Sequence, residues 1–474
     1  MIRAGSREAR RILTVTVLGS GLVFLDGTVV NIALPTIDAD LDAGLSGLQW
    51  TVDAYLVTLT ALLLLGGSLG DRYGRRRLLQ IGLVAFTVAS VVCGLAPNIH
   101  LLVAARAAQG IGGALLVPGS LAIITASFHP DDRAWAVGAW SGMAGVSTAI
   151  APFLGGWLID AVSWRAVFFI NVPLAAAALV LSRGVPESRD DEAPPQLDVA
   201  GAVSGSVALG AISFALIESN SGIGSSEIVA AIVGVACSVA FVVVERRSDH
   251  PMMPSGIFRS RQFVGANLAT VAVYGGLGGA TFLVVLQLQL VLGYSALQAG
   301  ASLLPISVLL LLFSARAGRL SVRTGTRVLM TIGPIVAGAG LFVLALVGPD
   351  TAFVPVILGG AIVFAIGMVL TVSPLTATVM AALDDRLAGI ASGVNNAASR
   401  GAGLIAVAFL PAVVGLHTDL APDAFTVAYR HAVWICAALC VAGGLISWAT
   451  IRNSAVTAAP EAGPGSISAS GLPE

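Results

Sequence analysis

The run Gly67-Ser68-Leu69-Gly70-Asp71-Arg72-Tyr73-Gly74-Arg75-Arg76-Arg77 decides the fold, because it is short, charged and held between two apolar stretches, 48–68 and 78–96. Each stretch approaches the roughly 20 apolar residues that a membrane-spanning helix requires. The glycines permit a tight turn and close helix approach, and the three consecutive arginines suit the cytoplasmic face of a bilayer. Asp71 can accept bonds from a facing helix N-terminus or an arginine. The run therefore reads as a latch that holds in one conformation, or, for Arg75 to Arg77 alone, as a charge anchor.

Working outward, apolar runs of similar length recur at 11–34, 48–68, 78–96, 101–125, 135–159, 165–183 and 198–218. A second series follows at 227–246, 263–290, 297–317, 327–348, 353–378, 388–415 and 431–452. Fourteen transmembrane helices are expected. The first run is too long for a removable signal peptide and lacks a small-residue cleavage site, so it reads as a span. The arginines test this count, since short cytoplasmic loops collect positive charge. With the N-terminus inside, 21 of the 25 arginines fall in cytoplasmic segments; Arg165 and Arg430 lie outside, and Arg106 and Arg400 lie within spans. An odd helix count would scramble that partition, so both termini are expected in the cytoplasm, with the chain in the cytoplasmic (inner) membrane.

Composition agrees. Of 474 residues, 56% are apolar and 11% charged, with a mean hydropathy of +0.91, whereas soluble domains carry about 25% charge. All 25 basic residues are arginine, which excludes a P-loop lysine, a pyridoxal Schiff base and a Ser-Lys nucleophile. The chain is read as no enzyme, with neither catalytic residues nor nucleotide as an energy source. Cys93, Cys237, Cys436 and Cys440 sit in apolar runs, where a thiol acts as a small hydrophobe. The five histidines are scattered, so no metal cage and no cofactor are expected. A net charge of -1 argues against nucleic acid as a partner.

The organisation follows from composition and from a repeat. Residues 1–10 read as a cytoplasmic tail, 11–183 as a six-helix bundle, 198–246 as two inserted helices, 263–452 as a second six-helix bundle, and 453–474 as a disordered tail of Ala, Gly, Ser and Pro. The charged, proline-containing segments Pro186 to Asp198 and Arg246 to Arg261 are the connections. Gly67 to Gly74 is echoed by Gly318-Arg319-Leu320-Ser321-Val322-Arg323-Thr324-Gly325 at an offset of 251 residues, and Asp131-Asp132-Arg133 by Asp384-Asp385-Arg386 at 253. Parallel repeats of this kind place a transport site at the midplane between two rocking halves.

On these residues the chain resembles the major facilitator superfamily, whose signature cytoplasmic loop the Gly67 to Arg76 run matches. Leu25-Asp26-Gly27-Thr28-Val29-Val30-Asn31-Ile32-Ala33-Leu34-Pro35 is similar to the first-helix motif of its fourteen-helix drug/proton antiporter branch. Arg106-Ala107-Ala108-Gln109-Gly110-Ile111-Gly112-Gly113 looks like the fourth-helix motif that the family associates with proton coupling. Pro152-Phe153-Leu154-Gly155-Gly156 resembles the end of the fifth-helix antiporter motif, with Ala151 where the family usually has glycine. Val322 stands where the family has a second loop aspartate, so the resemblance implies a latch dominated by Gly67, Asp71, Arg72, Gly74 and Arg75.

Elementary chemistry points to the same residues. An ionisable group inside a span is costly and by default functional, and Asp26 and Arg106 lie at similar depth, about 4.5 Å apart along the bilayer normal at 1.5 Å per residue. Burial disfavours the carboxylate and a nearby guanidinium favours it, so alternation between such environments is a proton switch. Whether the two face each other is not legible in the sequence, and a purely structural polar network is the competing reading. Arg106, Gln109, Gly110 and Gly113 share one helical face, which either lines a cavity or packs beside it. Asn31, Trp50, Asp53, Pro152, Asn267, Gln287, Asn395, Asn396 and Arg400 complete the candidate substrate cavity, although interhelical hydrogen bonding, and for Trp50 and Asp53 the membrane surface, are competing roles. The expected activity is proton-coupled export of small amphipathic compounds, cationic ones included, across the bilayer. A dedicated exporter or importer of one metabolite on the same fold is the alternative.

Overall fold

A computed structural model describes residues 2–189, 198–219, 222, 224–248, 253, 255–349, 351, 353–383 and 387–452. The expected tail 453–474, most of the first connection and the second acidic repeat element at 384–386 lie outside the described residues. The described residues are helical apart from turns, loops and one isolated bridge between Ile2 and Phe128.

Fifteen α-helices follow in order among the described residues: α1 Arg7–Leu41, α2 Gly44–Tyr73, α3 Arg75–Gly94, α4 Ile99–Ser127, α5 Pro130–Ala161, α6 Ala166–Phe169, α7 Asn171–Ser182, α8 Val199–Glu218, α9 Ser225–Arg247, α10 Arg261–Leu286, α11 Ala296–Thr324, α12 Thr326–Leu344, α13 Gly359–Ala381, α14 Ala388–Val414 and α15 Pro422–Thr450. Their starts are chemically marked. The side chains of Ser6, Asn98, Asp198, Ser260 and Ser295 each accept a backbone N–H in the first turn of α1, α4, α8, α10 and α11, satisfying donors that a helix cannot satisfy internally. The helices outrun the apolar segments: α1 continues to Leu41 and α15 begins at Pro422 rather than 431. Hydropathy marks the hydrocarbon-facing stretch, whereas backbone hydrogen bonding carries the helix past it.

Twelve helices among the described residues are long and apolar enough to cross a membrane, and the shorter apolar stretches Ile150–Ala161 and Ala166–Ser182 stand where the fifth and sixth spans were expected. Length and composition thus account for twelve of the fourteen expected spans among the described residues. The sixth run is not one rod but α6 and α7, with Ile170 between them.

The side from which α1 starts is proximal, and the opposite side distal. At the proximal side an Arg11 Nη1–H donates to the Gly184 carbonyl, and Arg261 and Arg327 donate to the carbonyls of Ala449 and Trp448. Gly74 and Gly325 both adopt positive φ, 107° and 89°, at the proximal turns that follow α2 and α11, so the 251-residue offset marks one turn used twice. Close helix crossings are likewise repeated. Gly112 of α4 lies on the backbone of Phe86 in α3, and Gly367 of α13 on the backbone of Ala337 in α12.

The first and second halves of the chain meet distally. Gln49 Nε2 of α2 donates to the carbonyls of Val407 and Ala408 in α14 at 2.7 and 3.3 Å, and Gln289 Nε2 donates to the Ile32 carbonyl of α1 at 2.9 Å. Asp160 Oδ2 accepts from Ser295 Oγ at 2.7 Å and from the Leu297 backbone at 3.0 Å. Gly156 and Gly300 bring the backbones of α5 and α11 into contact beside them.

A Cβ on Gly112 would lie 2.6 Å from the Phe86 nitrogen, whereas one on Gly119 in the same helix would meet nothing within 4 Å. Gly112→Ala should therefore cost about 1–3 kcal/mol through overpacking, and Gly119→Ala should be neutral or slightly stabilising. Thermal denaturation of the purified protein in detergent separates the two.

Candidate functional site

Asp26 lies in the middle of α1 with 0% of its surface exposed, and it accepts hydrogen bonds from side chains of α4 and α7. Arg106 Nη1 of α4 forms a hydrogen-bonded ion pair with Asp26 Oδ2. Gln109 Nε2, one turn on, donates to Oδ1 at 2.8 Å, and Asn171 Nδ2 of α7 donates to the same oxygen at 3.1 Å. Arg106 is itself held from three directions. Its Nη1 donates to Gln109 Oε1 at 2.7 Å, its Nε donates to the Thr51 carbonyl of α2 at 2.9 Å, and its guanidinium carbon lies 4.2 Å from the centre of the Tyr55 ring. The Tyr55 hydroxyl donates to the Val23 carbonyl at 3.1 Å. Ser90 of α3 closes the network: its hydroxyl accepts from Asn171 at 2.9 Å and donates to the Phe168 carbonyl at 2.9 Å.

The partners explain why so costly a pair is tolerated. A buried ion pair repays its desolvation only when the geometry is good and its remaining donors and acceptors are satisfied. Here both Asp26 oxygens are bonded, and the guanidinium is shared among a carboxylate, an amide, a carbonyl and a ring face. The network lies inside the first half of the chain, among α1, α2, α3, α4 and α7, and not in the space between the halves. In this conformation the carboxylate is sealed from both sides of the membrane.

The expected cavity residues separate into groups. Gln109 belongs to the Asp26 network. Gly110 and Gly113 are buried where α4 crosses α2, Gly110 against the Tyr55 carbonyl and the Thr58 hydroxyl, so they set helix spacing and do not line a cavity. Pro152 touches Gly300 in the α5 to α11 contact. Gln287 is buried at the distal end of the second half, donating to the Val347 carbonyl at 3.1 Å and the Thr426 hydroxyl at 3.0 Å. Trp50 Nε1 donates to Glu218 of α8 at 2.9 Å, as does Ser46 Oγ. Those placements depart from a cavity-lining role because interior amides and indoles are claimed by nearby backbone and acid groups.

Most of the remaining residues are part-exposed and come together from α1, α10 and α14. Phe24, Gly27, Thr28 and Asn31 form one part-exposed face of α1, opposite the buried face that carries Asp26. Across from it lie the part-exposed Asn395, Asn396 and Arg400 of α14 and Asn267 of α10, with Arg400 5.6 Å from the Phe24 ring centre and Asn395 donating to Asn267 at 3.2 Å. Asp53 is fully buried on α2, and neither of its carboxyl oxygens has a hydrogen-bond partner among the described residues. It is the least satisfied polar group of the site.

At the proximal loop, Arg75 donates from Nε and Nη2 to Asp71 Oδ1 at 2.8 and 2.7 Å. Glu187, which the sequence did not single out, accepts from the backbone of Arg76 at 2.9 Å and of Arg77 at 3.2 Å, capping the start of α3 from the segment after α7. Gly74 is required there twice over, by its φ of 107° and by the Glu187 carboxyl 2.9 Å from where a Cβ would stand. Gly67 lies against Pro118. Asn171 and Ser90 were also missed, although a polar residue inside an apolar run beside a proline, as in Ile170-Asn171-Val172-Pro173, is a readable signal.

The sequence profile described as Major Facilitator Superfamily matches residues 16–407. The chain is 35% identical over 393 residues to the multidrug resistance protein Stp of Mycobacterium tuberculosis (strain CDC 1551 / Oshkosh), an alignment covering 81% of this chain and 72% of that protein. It is 33% identical to the puromycin resistance protein pur8 of Streptomyces alboniger, covering 96% and 93%. It is also 33% identical to the methylenomycin A resistance protein of Streptomyces coelicolor, covering 96% of each chain. Among solved structures, the inward open xylose transporter XylE from E. coli superposes with a TM-score of 0.66 at 17% identity, over 95% of this chain and 98% of that one; at that identity the likeness concerns the fold.

Removing Arg106 should leave Asp26 as an uncompensated buried charge. Arg106→Ala is expected to cost about 3–5 kcal/mol, whereas Asp26→Asn should cost less because an amide oxygen can still accept from Gln109 and Asn171. Thermal unfolding of both variants and of the double variant tests this, with the double variant expected to be more stable than Arg106→Ala alone.

Proposed function

The chain belongs to the Major Facilitator Superfamily, and on that footing we propose that it is a proton-coupled antiporter that exports small amphipathic compounds, antibiotics among them, from the cytoplasm. Its relatives are named as multidrug and antibiotic resistance or export proteins, and this chain is read as doing the same work. It is a multi-pass membrane protein. In the proposed topology α5 and the broken pair α6–α7 complete fourteen crossings, α8 and α9 are inserted between two six-helix bundles, and the arginine-rich proximal side faces the cytoplasm, both termini included. The distal seal then closes the outer side, and the space bounded by α1, α10 and α14 is the substrate cavity.

The observation that carries the reading is the Asp26–Arg106 pair at mid-span. Proton binding to Asp26 cancels its attraction for Arg106, which frees a guanidinium held also by α2, and so couples a protonation event to helix position. In this conformation Asp26 is sealed, so exchange with the outer side belongs to a state in which α1 and α4 have shifted. Protonation from outside accompanies substrate release, and deprotonation inward resets the cavity. Asp71, Arg72 and Arg75 with Gly67 and Gly74 act as the proximal latch, and Asp53, buried and unsatisfied, is the group that a substrate or a moving helix would engage. No nucleotide, metal or cofactor enters this cycle.

At about 100 mV and one pH unit, an entering proton supplies roughly 3.7 kcal/mol, enough for a concentration ratio of several hundredfold. Asp26→Asn should retain folding and lose that concentrative power, the ratio falling to about one, when dye export is followed in proteoliposomes under an imposed proton gradient. Full coupled export by that variant would overturn the assignment.

A further inference from the structure

Among the described residues Arg400 is a cation of the central space whose compensation the fold leaves open. It stands near the middle of α14, part-exposed, against the ring of Phe24 and close to the phenols of Tyr55 and Tyr274. Among the described residues it makes no ion pair and no hydrogen bond; its recorded neighbours are these aromatic groups. No acid is available at its depth within its own bundle, because the apolar spans of the second six-helix bundle, 263–452, contain neither Asp nor Glu. In the first half Asp26 is committed to Arg106, and Asp53 is enclosed on α2, where neither oxygen meets a donor. A guanidinium at this depth is expensive without an anionic partner, and a ring face offsets only part of that cost.

From this geometry we infer that Arg400 is the anchor for an acidic group on the transported compound, so that the cavity selects amphipathic organic acids, carboxylates foremost. The inference rests on the export reading and deepens it, replacing the cationic option that the sequence reading left open. The fork of five N–H donors matches a carboxylate with two parallel bonds. Phe24 and Tyr274 offer apolar and aromatic surface beside that fork for the body of the molecule, while Asn31, Asn267 and Asn396 surround the approach with neutral polar groups that favour neither charge. Among the described residues Asp26 is paired with Arg106 and Asp53 is enclosed on α2, so in this conformation a cationic compound beside Phe24 would meet Arg400 as a like charge, which is how a site rejects the wrong ligand.

The test is direct binding to the purified full-length protein in a non-ionic detergent, followed by quenching of tryptophan fluorescence. Three probes share one aromatic body: 1-pyrenebutyrate, its methyl ester, and 1-pyrenebutyl-trimethylammonium. The wild type should bind the acid at least tenfold more tightly than the ester or the cation. Arg400→Gln should erase that difference by weakening the acid alone, and Arg400→Lys should retain part of it, since an ammonium keeps the charge but not the fork. Unchanged elution and unfolding temperature certify that the variants are folded. Equal affinity of the wild type for all three probes, or an acid preference that survives in Arg400→Gln, overturns the inference. The export reading fails separately, if cells carrying the wild type extrude none of the three whatever their binding order.

Discussion

The buried pairing of Asp26 with Arg106 is the constraint around which the first half of the chain is organised. Two charges at mid-span are affordable only when each is fully coordinated, and the coordination is drawn from α1, α2, α3, α4 and α7. Glycines make this possible at a distance from the charges. Gly110 and Gly112 bring α4 onto the backbones of α2 and α3, which lets Arg106 reach both Asp26 and the Thr51 carbonyl. A helix kept at ordinary side-chain spacing would leave the guanidinium short of one of them. The network therefore makes these helices one mechanical body, and a change in the charge of Asp26 is felt by all of them.

The contacts between the two halves are of another kind. Gln49 and Gln289 are neutral amides bonded to backbone carbonyls, and Asp160 is part-solvated and bonded to a hydroxyl and a backbone N–H. Each is worth about 1 kcal/mol net, and water can take over either side when the surfaces part. Strong, desolvated electrostatics inside a half and weak, exchangeable bonds between halves form the division expected of bodies that rock against each other. Glu218 extends the first body, since Ser46 and Trp50 bind α8 to α2.

Phe24 links the two zones. It sits two residues from Asp26 on α1 but on the opposite face, where its ring meets Arg400 of the second half. A rotation or shift of α1 that loosens the Asp26 network also moves the surface against which Arg400 rests. In the proposed cycle, coupling between Asp26 and the surroundings of Arg400 then requires no long pathway, only one helix with two chemically different faces.

Much of this was legible from residue types and spacing alone. Apolar run length set the all-helical membrane class, the 251-residue echo marked a repeated turn now seen at Gly74 and Gly325, and the rarity of charge within spans singled out Asp26, Arg106 and Arg400. Those signals are local or one-dimensional, and the cost of burying charge or backbone in lipid makes them unambiguous. Other features required the folded chain. A glycine on a polar stripe has no chemistry that distinguishes cavity wall from helix crossing, so Gly110 and Gly113 were separable from Asn31 and Asn396 only by what stood opposite. Asn171, Ser90 and Glu187 act through partners 81 to 145 residues away, and no periodicity encodes such a meeting. The break between α6 and α7 interrupts a run that hydropathy counted as one rod. Sequence thus fixes which groups are too costly to be idle, while only packing in three dimensions decides which of them neutralise one another and which, like Arg400, are left facing open space.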